Sequence, residues 1–336
     1  MAKRDLGQDG PMRAVCVIGL GLIGGSVLRA ATSAGRAGWA ATTSEGDAAA
    51  ARAEGYSVEA TVEDALRRAA AADALVVIAT PLPAVREILR KVAWHAPEAW
   101  LTDVVSVKEP VSSEVGQLLP GARYAGGHPM AGTSSSGWSA GGPDLFSDAA
   151  WAVTVEDDTR EDAWCEAAAL ALDCGARVVP TSAAEHDTAV ARISHLPHVL
   201  AAVLAAVGSD GGPLAMSLAA GSFRDGTRVS AGSPELIRAM TEGNRVALLD
   251  AVDDTLGRLG AARGSLASTG SLKSTVDAGN QARRILDALG DIERERTTIP
   301  LGTRNTLRRL REIGDRGGRI RTLDANSAVA EVPPMG

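Results

Sequence analysis

Three stretches of this chain gather side chains able to move protons or hold charge, and a fourth gathers glycines. Residues 101–108 run an apolar segment straight into Asp103, Ser106 and Lys108. Residues 126–133 hold His128 between Gly126-Gly127 and Pro129, with Thr133 closing the stretch, and residues 223–228 carry Arg224, Asp225 and Arg228. The glycines are Gly19, Gly21 and Gly24, which follow the apolar residues 15–18 and precede the helix-compatible residues 26–31. In a Gly-x-Gly-x-x-Gly turn the first glycine makes the bend, the second lets backbone approach a pyrophosphate, and the third lets helix and strand pack closely. The helix start that follows, Leu22 and Ile23, offers N–H groups to phosphates. A dinucleotide site is the expectation. Singly, the polar stretches have ordinary explanations: Asp103 as a helix cap, His128 as a turn histidine, Arg224, Asp225 and Arg228 as a helical charge pattern.

Nucleotide-binding sheets that take NAD carry an acid about 20 residues past the glycines, at the end of the second strand, for the ribose hydroxyls. Here residues 39–43 read as that strand, and Thr42 and Thr43 stand where the acid is expected. A carboxylate would repel a 2′-phosphate and small hydroxyls would not, so NADP is favoured over NAD. No arginine follows the strand directly, Glu45 lies close by, and Arg36 reads equally as a solvated loop charge.

Strand-like runs at 14–18, 39–43, 74–79 and 100–103 alternate with helical patterns near 23–34, 46–54, 62–71 and 83–93. Such alternation implies a largely parallel sheet covered on both faces. Ligands lie beyond the carboxyl ends of those strands, which puts Thr80, Pro81 and Asp103 with the cofactor. Further strands are expected at 123–125, 150–155 and 177–179 around a helix at 162–172, with Pro180 closing the domain. From residue 182 the pattern turns helical, at 184–207, 213–220, 234–263 and 271–288, with more apolar face than one thin layer can hide. A second subunit is expected to cover part of it.

The expected organisation is a disordered leader at 1–12, an α/β Rossmann-like doubly wound domain at 13–181, an all-helical substrate and dimerisation domain at 182–290, and a small appendage at 291–336. The appendage reads as a strand at 298–301, a helix at 304–314, a strand at 319–323 and a frayed tail after Ala325.

At 336 residues and 45% hydrophobic content the chain can bury two cores, and its net charge of −7 argues against a general nucleic-acid binder. Seven arginines between Arg304 and Arg321 read as a solvated helical face. Cys16, Cys165 and Cys174 are odd in number and lack metal-ligand spacing, as reduced thiols of a cytoplasmic protein would. No apolar run reaches membrane-spanning length and the leader is polar, so no membrane partner is expected. No metal is expected either: His195 and His198 form an HxxH, but no Cys or carboxylate stands at a spacing to complete a zinc site.

The stretches GLGLIGGS (19–26), TDVVSVK (102–108), GGHPMAGT (126–133), EHD (185–187), SHLPH (194–198) and AAGSFRDGTR (219–228) resemble, in order and spacing, the prephenate/arogenate dehydrogenase family. The likeness is to its actinobacterial branch, shared also by GTSSSGWSAG (132–141) and LIRAM (236–240). It runs from about residue 13 to residue 290. The resemblance implies a dimeric enzyme that oxidises and decarboxylates prephenate or arogenate with NAD or NADP on the route to tyrosine. It makes His128 the base for the C4 hydroxyl proton and Ser106 the serine that bonds both that hydroxyl and the histidine. It also makes Arg228 the cation for a substrate carboxylate, oriented by Asp225. His198 would be a wall of the substrate site with Thr133 nearby, His195 structural, and His186 part of the domain junction.

This chain departs from the family pattern twice. Ser134-Ser135-Ser136 stand where many members carry an acid, and Pro234-Glu235-Leu236-Ile237 replaces a P-x-x-W. Both positions touch the end that distinguishes prephenate from arogenate, so both substrates stay open. The competing readings are a 4-amino-4-deoxyprephenate dehydrogenase, a β-hydroxyacid dehydrogenase that would need Lys273, and a non-catalytic NAD(P)-sensing protein.

Overall fold

The computed structural model describes residues 12–133 and 135–334. The leader expected at 1–12 lies, but for Met12, outside the described residues, as does Ser134. The chain forms two compact units, one of residues up to 187 with 231–243 and 296–332, the other of residues 188–230 and 244–295.

The first unit is built on two six-stranded sheets. Strands β1 (Val15–Ile18), β2 (Gly38–Ala41), β3 (Ser57–Val58), β4 (Leu75–Ile78), β5 (Trp100–Asp103) and β6 (Arg123–Tyr124) pair in parallel in the order β3-β2-β1-β4-β5-β6. β1 and β4 are buried along their whole length, as strands covered on both faces must be. Successive residues alternate between two cores: Val15, Val17, Leu75 and Val77 enter one, Cys16, Ile18, Val76 and Ile78 the other. In this order the chain reverses direction across the sheet between β1 and β4, and the crevice left there is where a doubly wound sheet takes its ligand.

The second sheet holds β7 (Gly127–Pro129), β8 (Ala150–Thr154), β9 (Arg177–Thr181), β10 (Glu295–Pro300), β11 (Arg319–Leu323) and β12 (Ser327–Val332), in the order β10-β12-β11-β9-β8-β7. Two expectations are corrected here. Pro180 does not end the sheet; it lies within β9 opposite Val153, and β11 pairs on the other side of β9. Proline removes one N–H from a ladder and no more. The helix Thr306–Asp315 packs so closely there that a Cβ on Gly314 would stand 1.6 Å from the Pro180 carbonyl oxygen. The tail after Ala325 is not frayed: it forms β12, with Ala328, Ala330 and Val332 buried in alternation. An alanine-rich strand carries little hydrophobic signal until its neighbours are in place. The arginines of this region are largely paired, Arg308 with Glu312, Arg311 with Asp157, Arg319 with Glu331 and Arg321 with Asp148.

The second unit is helical. The expected segment 234–263 is two helices, Pro234–Gly243 and Arg245–Ser268, parted at Asn244, and the shorter one belongs with the first unit. Helices Leu196–Asp210 and Gly221–Thr227 approach closely through Gly208 against Phe223 and Gly226 against Leu204. Large apolar side chains are exposed along this unit, among them Val203, Val207, Leu214, Leu218, Val246, Leu256 and Leu286. By length and composition alone the helical run Ala183–Asp210 is apolar enough to cross a bilayer, which corrects the expectation that no run reaches that length. Arg192 and His195 sit within it, in a π-helical turn at Ala191–His195.

Candidate active site

The glycine turn follows β1. Gly19 has φ +106°, a conformation that disfavours side chains, and a Cβ there would stand 2.5 Å from the Ala79 carbonyl oxygen just past β4. A Cβ on Gly24 would meet the Gly19 carbonyl oxygen at 2.0 Å and the Ala79 Cβ at 2.7 Å. Both glycines are therefore required by the protein's own packing. Gly21 is different, because a Cβ on it would meet nothing within 4 Å. Gly21 starts the helix Leu22–Ser33 with no side-chain cap, so its first-turn N–H groups are available to an anion. Thr80 Oγ1, after β4, is buried without a hydrogen-bond partner, and Pro81 begins the next helix beside it. An open approach at Gly21, an uncapped helix start and an orphaned buried hydroxyl all fit a pyrophosphate at the β1–β4 crevice.

β2 ends at Ala41, one residue before Thr42 and two earlier than expected. Thr42 Oγ1 accepts the Ser44 N–H at 3.2 Å, Ser44 caps the helix Glu45–Ala53, and Thr43 is exposed. Arg36 is not a solvated loop charge. It is buried, bonded to Glu166 and Asp173 at 2.6 Å each, and so committed to the fold.

Asp103, the last residue of β5, is fully buried and serves three partners. It accepts the Val105 N–H at 2.8 Å and the Tyr124 hydroxyl at 2.8 Å, and it pairs with the buried Lys108 ammonium. Burial pushes the Lys108 ammonium below its ordinary value against the pull of Asp103, and burial next to Asp103 drives the Tyr124 phenol well up. Lys108 Nζ also donates to the Gly127 carbonyl at 2.6 Å, which ties β7 to the end of β5. Asp103 is thus a structural hub of the loop that carries half-buried Ser106.

His128 lies in β7, half-buried, opposite Ala152 of β8. Its Nδ1 is 2.8 Å from His186 Nε2, and His186 Nδ1 is 2.8 Å from Asp187 Oδ1. Asp187 also accepts the backbone N–H groups of Lys108 (2.8 Å) and Glu109 (2.9 Å). Burial raises the Asp187 carboxyl, but the hydrogen bonds from His186 and these two N–H groups outweigh it and hold the group below its usual value. Burial lowers the His186 imidazole, only partly offset by its bond to Asp187. Sequence reasoning left His186 and Asp187 at a domain junction. The signal was the EHD motif itself, but which ring nitrogen faces which partner is a matter of three dimensions.

Thr133 is exposed and turns back on its own loop, donating to the Ser135 carbonyl at 3.2 Å. In the helical unit, His198 Nδ1 bonds the Ser194 carbonyl at 2.8 Å, and buried His195 bonds Asn244 at 3.1 Å. Arg228, which follows the helix Gly221–Thr227, is exposed, as is Asp225. Among the described residues neither forms an ion pair, so the expected orienting contact between them is not made. Lys273 is exposed and paired with Asp277. Among the described residues no group of three His, Cys, Asp or Glu side chains could hold a metal.

A parallel sheet with a glycine turn at its reversal point, and a histidine fastened to the end of β5, define the class as a dinucleotide-dependent oxidoreductase. Residues 29–180 match the family described as prephenate dehydrogenase, nucleotide-binding domain, and residues 182–270 match prephenate dehydrogenase, dimerization domain. The chain is 31% identical over 262 residues to the cyclohexadienyl dehydrogenase of Zymomonas mobilis, covering 76% of this chain and 88% of that one. It is 35% identical over 187 residues to the prephenate dehydrogenase of Bacillus subtilis, a match over 54% of this chain that spans only half (50%) of that relative's length. A solved structure from Corynebacterium glutamicum, described as a candidate prephenate dehydrogenase, superposes with TM-score 0.86 at 41% identity, covering 93% of this chain and 99% of that one. The chain belongs to the prephenate dehydrogenase family, a family of NAD(P)-dependent oxidoreductases.

Proposed function

We propose that this protein oxidises and decarboxylates prephenate or arogenate, with NADP preferred over NAD, as a cytoplasmic homodimer joined through its helical unit. The observation that carries the reading is His128, whose Nδ1 is held by His186 on a strand that Lys108 ties, through the Gly127 carbonyl, to the carboxyl end of the nucleotide-binding sheet. Family membership supplies the substrate class, because the relatives are named for prephenate and for cyclohexadienyl substrates.

Gly19, Gly21, Leu22, Ile23 and Gly24 would cradle the pyrophosphate, with Thr80 and Pro81 along the crevice and Thr42 and Thr43 at the adenosine ribose, while buried Asp103 serves the cofactor only by holding the loop beyond β5. A nicotinamide cofactor, when bound, would supply the acceptor for the hydride that leaves C4 of the substrate ring. His128 takes the C4 hydroxyl proton as the carbinol becomes a ketone, and Ser106 holds that oxygen. Arg228 binds a substrate carboxylate through its planar fork, and His198 walls the substrate. The ketone then accepts the electron pair released as the C1 carboxylate leaves as CO2, which makes the ring aromatic. NADP is favoured by the hydroxyls of Thr42 and Thr43 where an NAD enzyme places a carboxylate. The exposed apolar face of the helical unit and the match to a dimerization domain support the homodimer, and three unbridged thiols support the cytoplasm.

The test is turnover by purified protein of prephenate, arogenate and 4-amino-4-deoxyprephenate, each with NAD+ and NADP+. Release of CO2 with either of the first two substrates, faster with NADP+, is expected. Cofactor binding without turnover of any substrate would replace this reading with a sensing role.

A further inference from the structure

The two residues behind His128 have no role in the chemistry derived above. We propose that His186 and Asp187 are positioning residues that set the tautomer of His128, making Nε2 the nitrogen that takes the substrate proton. The inference rests on His128 being the base.

Donor and acceptor capacity fixes where each proton sits. Asp187 is 1% exposed, and it receives hydrogen bonds from the N–H groups of Lys108 and Glu109 as well as from His186. An ionised carboxylate only accepts, so the 2.8 Å contact to Asp187 places the His186 proton on Nδ1. A neutral His186 then has only a lone pair at Nε2. The 2.8 Å contact between that atom and His128 Nδ1 therefore requires His128 to be the donor. With its proton held at Nδ1, a neutral His128 carries its lone pair at Nε2. The opposite assignment would need His186 to be an imidazolium, buried and close to the Lys108 ammonium.

Charge supports the same arrangement. The charged groups acting on the His186 imidazole are Asp187, Lys108 and Asp103, and Asp103 and Lys108 neutralise each other as an ion pair. Asp187 is left as the net negative charge behind the relay, where it stabilises the cation formed when His128 Nε2 takes a proton. The helix bearing both residues is held at its start by a reciprocal cap, Ser182 with Glu185. The logic is that of a histidine base oriented by a buried acceptor, with a second imidazole interposed.

His186→Gln and His186→Phe separate the proposal from a packing role. The Gln carbonyl can accept from His128 Nδ1 and the Phe ring cannot. The Phe variant is expected to lose kcat on the order of 10- to 100-fold, a part of what a general base contributes, with KM within about twofold of wild type. The Gln variant should recover most of the loss. Ring nitrogen NMR of the wild-type protein, which has five histidines, should show His128 protonated at Nδ1 and unprotonated at Nε2. Equal kcat in the two variants, or a wild-type His128 protonated at Nε2, overturns the proposal. The NMR result stands even if the Phe variant fails to fold. If His128→Asn keeps full turnover, the base assignment itself has failed, whatever the tautomer.

Discussion

Lys108 and Asp103 form an ion pair with neither side chain exposed to solvent, five residues apart in sequence and at the edge where β5 ends. The pair costs desolvation on both sides, so neither member is tolerable alone. Lys108→Met should destabilise the first unit by about 3–5 kcal/mol, read from urea unfolding, because Asp103 is left buried and unpaired. The double variant Asp103→Leu/Lys108→Met should lose less than the two single variants summed. A cost for Lys108→Met below about 1 kcal/mol, the range of exposed pairs, would mean that water reaches the pair.

Gly21 and Gly24 are predicted to fail in different ways. Gly24→Ala drives a Cβ into the Gly19 carbonyl oxygen and should lower the melting temperature as well as cofactor binding. Gly21→Ala meets open space, so its melting temperature should stay at the wild-type value while NADPH binding weakens on the order of tenfold, about 1.4 kcal/mol. If Gly21→Ala binds NADPH as wild type does, the pyrophosphate does not approach at that residue.

His128→Asn should cut turnover by a factor on the order of 10² to 10⁴ with cofactor affinity unchanged. Arg228→Gln should act mainly on KM, since a carboxylate anchor binds ground state and transition state alike. An unaltered KM would pass the carboxylate to another cation, with Arg224 and Arg245 next in line.

Thr42→Asp should move cofactor preference toward NAD, measured as the ratio of kcat/KM for NAD+ and NADP+. The introduced carboxylate would repel a 2′-phosphate and accept a ribose hydroxyl. No change in that ratio would place the ribose away from the end of β2.

His186 gives the stability a pH dependence whose sign is determined. Its imidazole is lowered in the fold from the ordinary 6.5, so as pH falls through that value the unfolded chain takes a proton that the fold refuses. Stability is lost from about pH 6.5 downward, until the folded-state value is reached. The melting temperature of wild type should therefore fall more between pH 7.5 and 5.5 than that of His186→Gln. Parallel curves would show that the ring protonates equally in both states.

Much of the fold is legible in the chain because its signals are local. Buried runs such as 75–78 and the glycine spacing at 19–24 depend on neighbours a few residues away, and the strand, turn and helix they predict are present. The elements that escaped depend on distant partners. β7, three residues around His128, exists because β8 pairs with it, and β12 alternates alanines that gain meaning only beside β11. Arg36 looked solvated because its acids, Glu166 and Asp173, lie 130 and 137 residues away.

For the site, residue types and order were enough to nominate His128, Ser106, Arg228 and the glycines and to name the chemistry their family performs. Sequence could not say which nitrogen of His128 is held, nor that His186, 58 residues on, holds it. Nor could it say that Asp103 is given over to Lys108 and Tyr124. Hydrogen bonds are directional over less than 3.5 Å and indifferent to sequence distance, so the wiring of the relay is decided only once β7 and the helix after β9 are packed together.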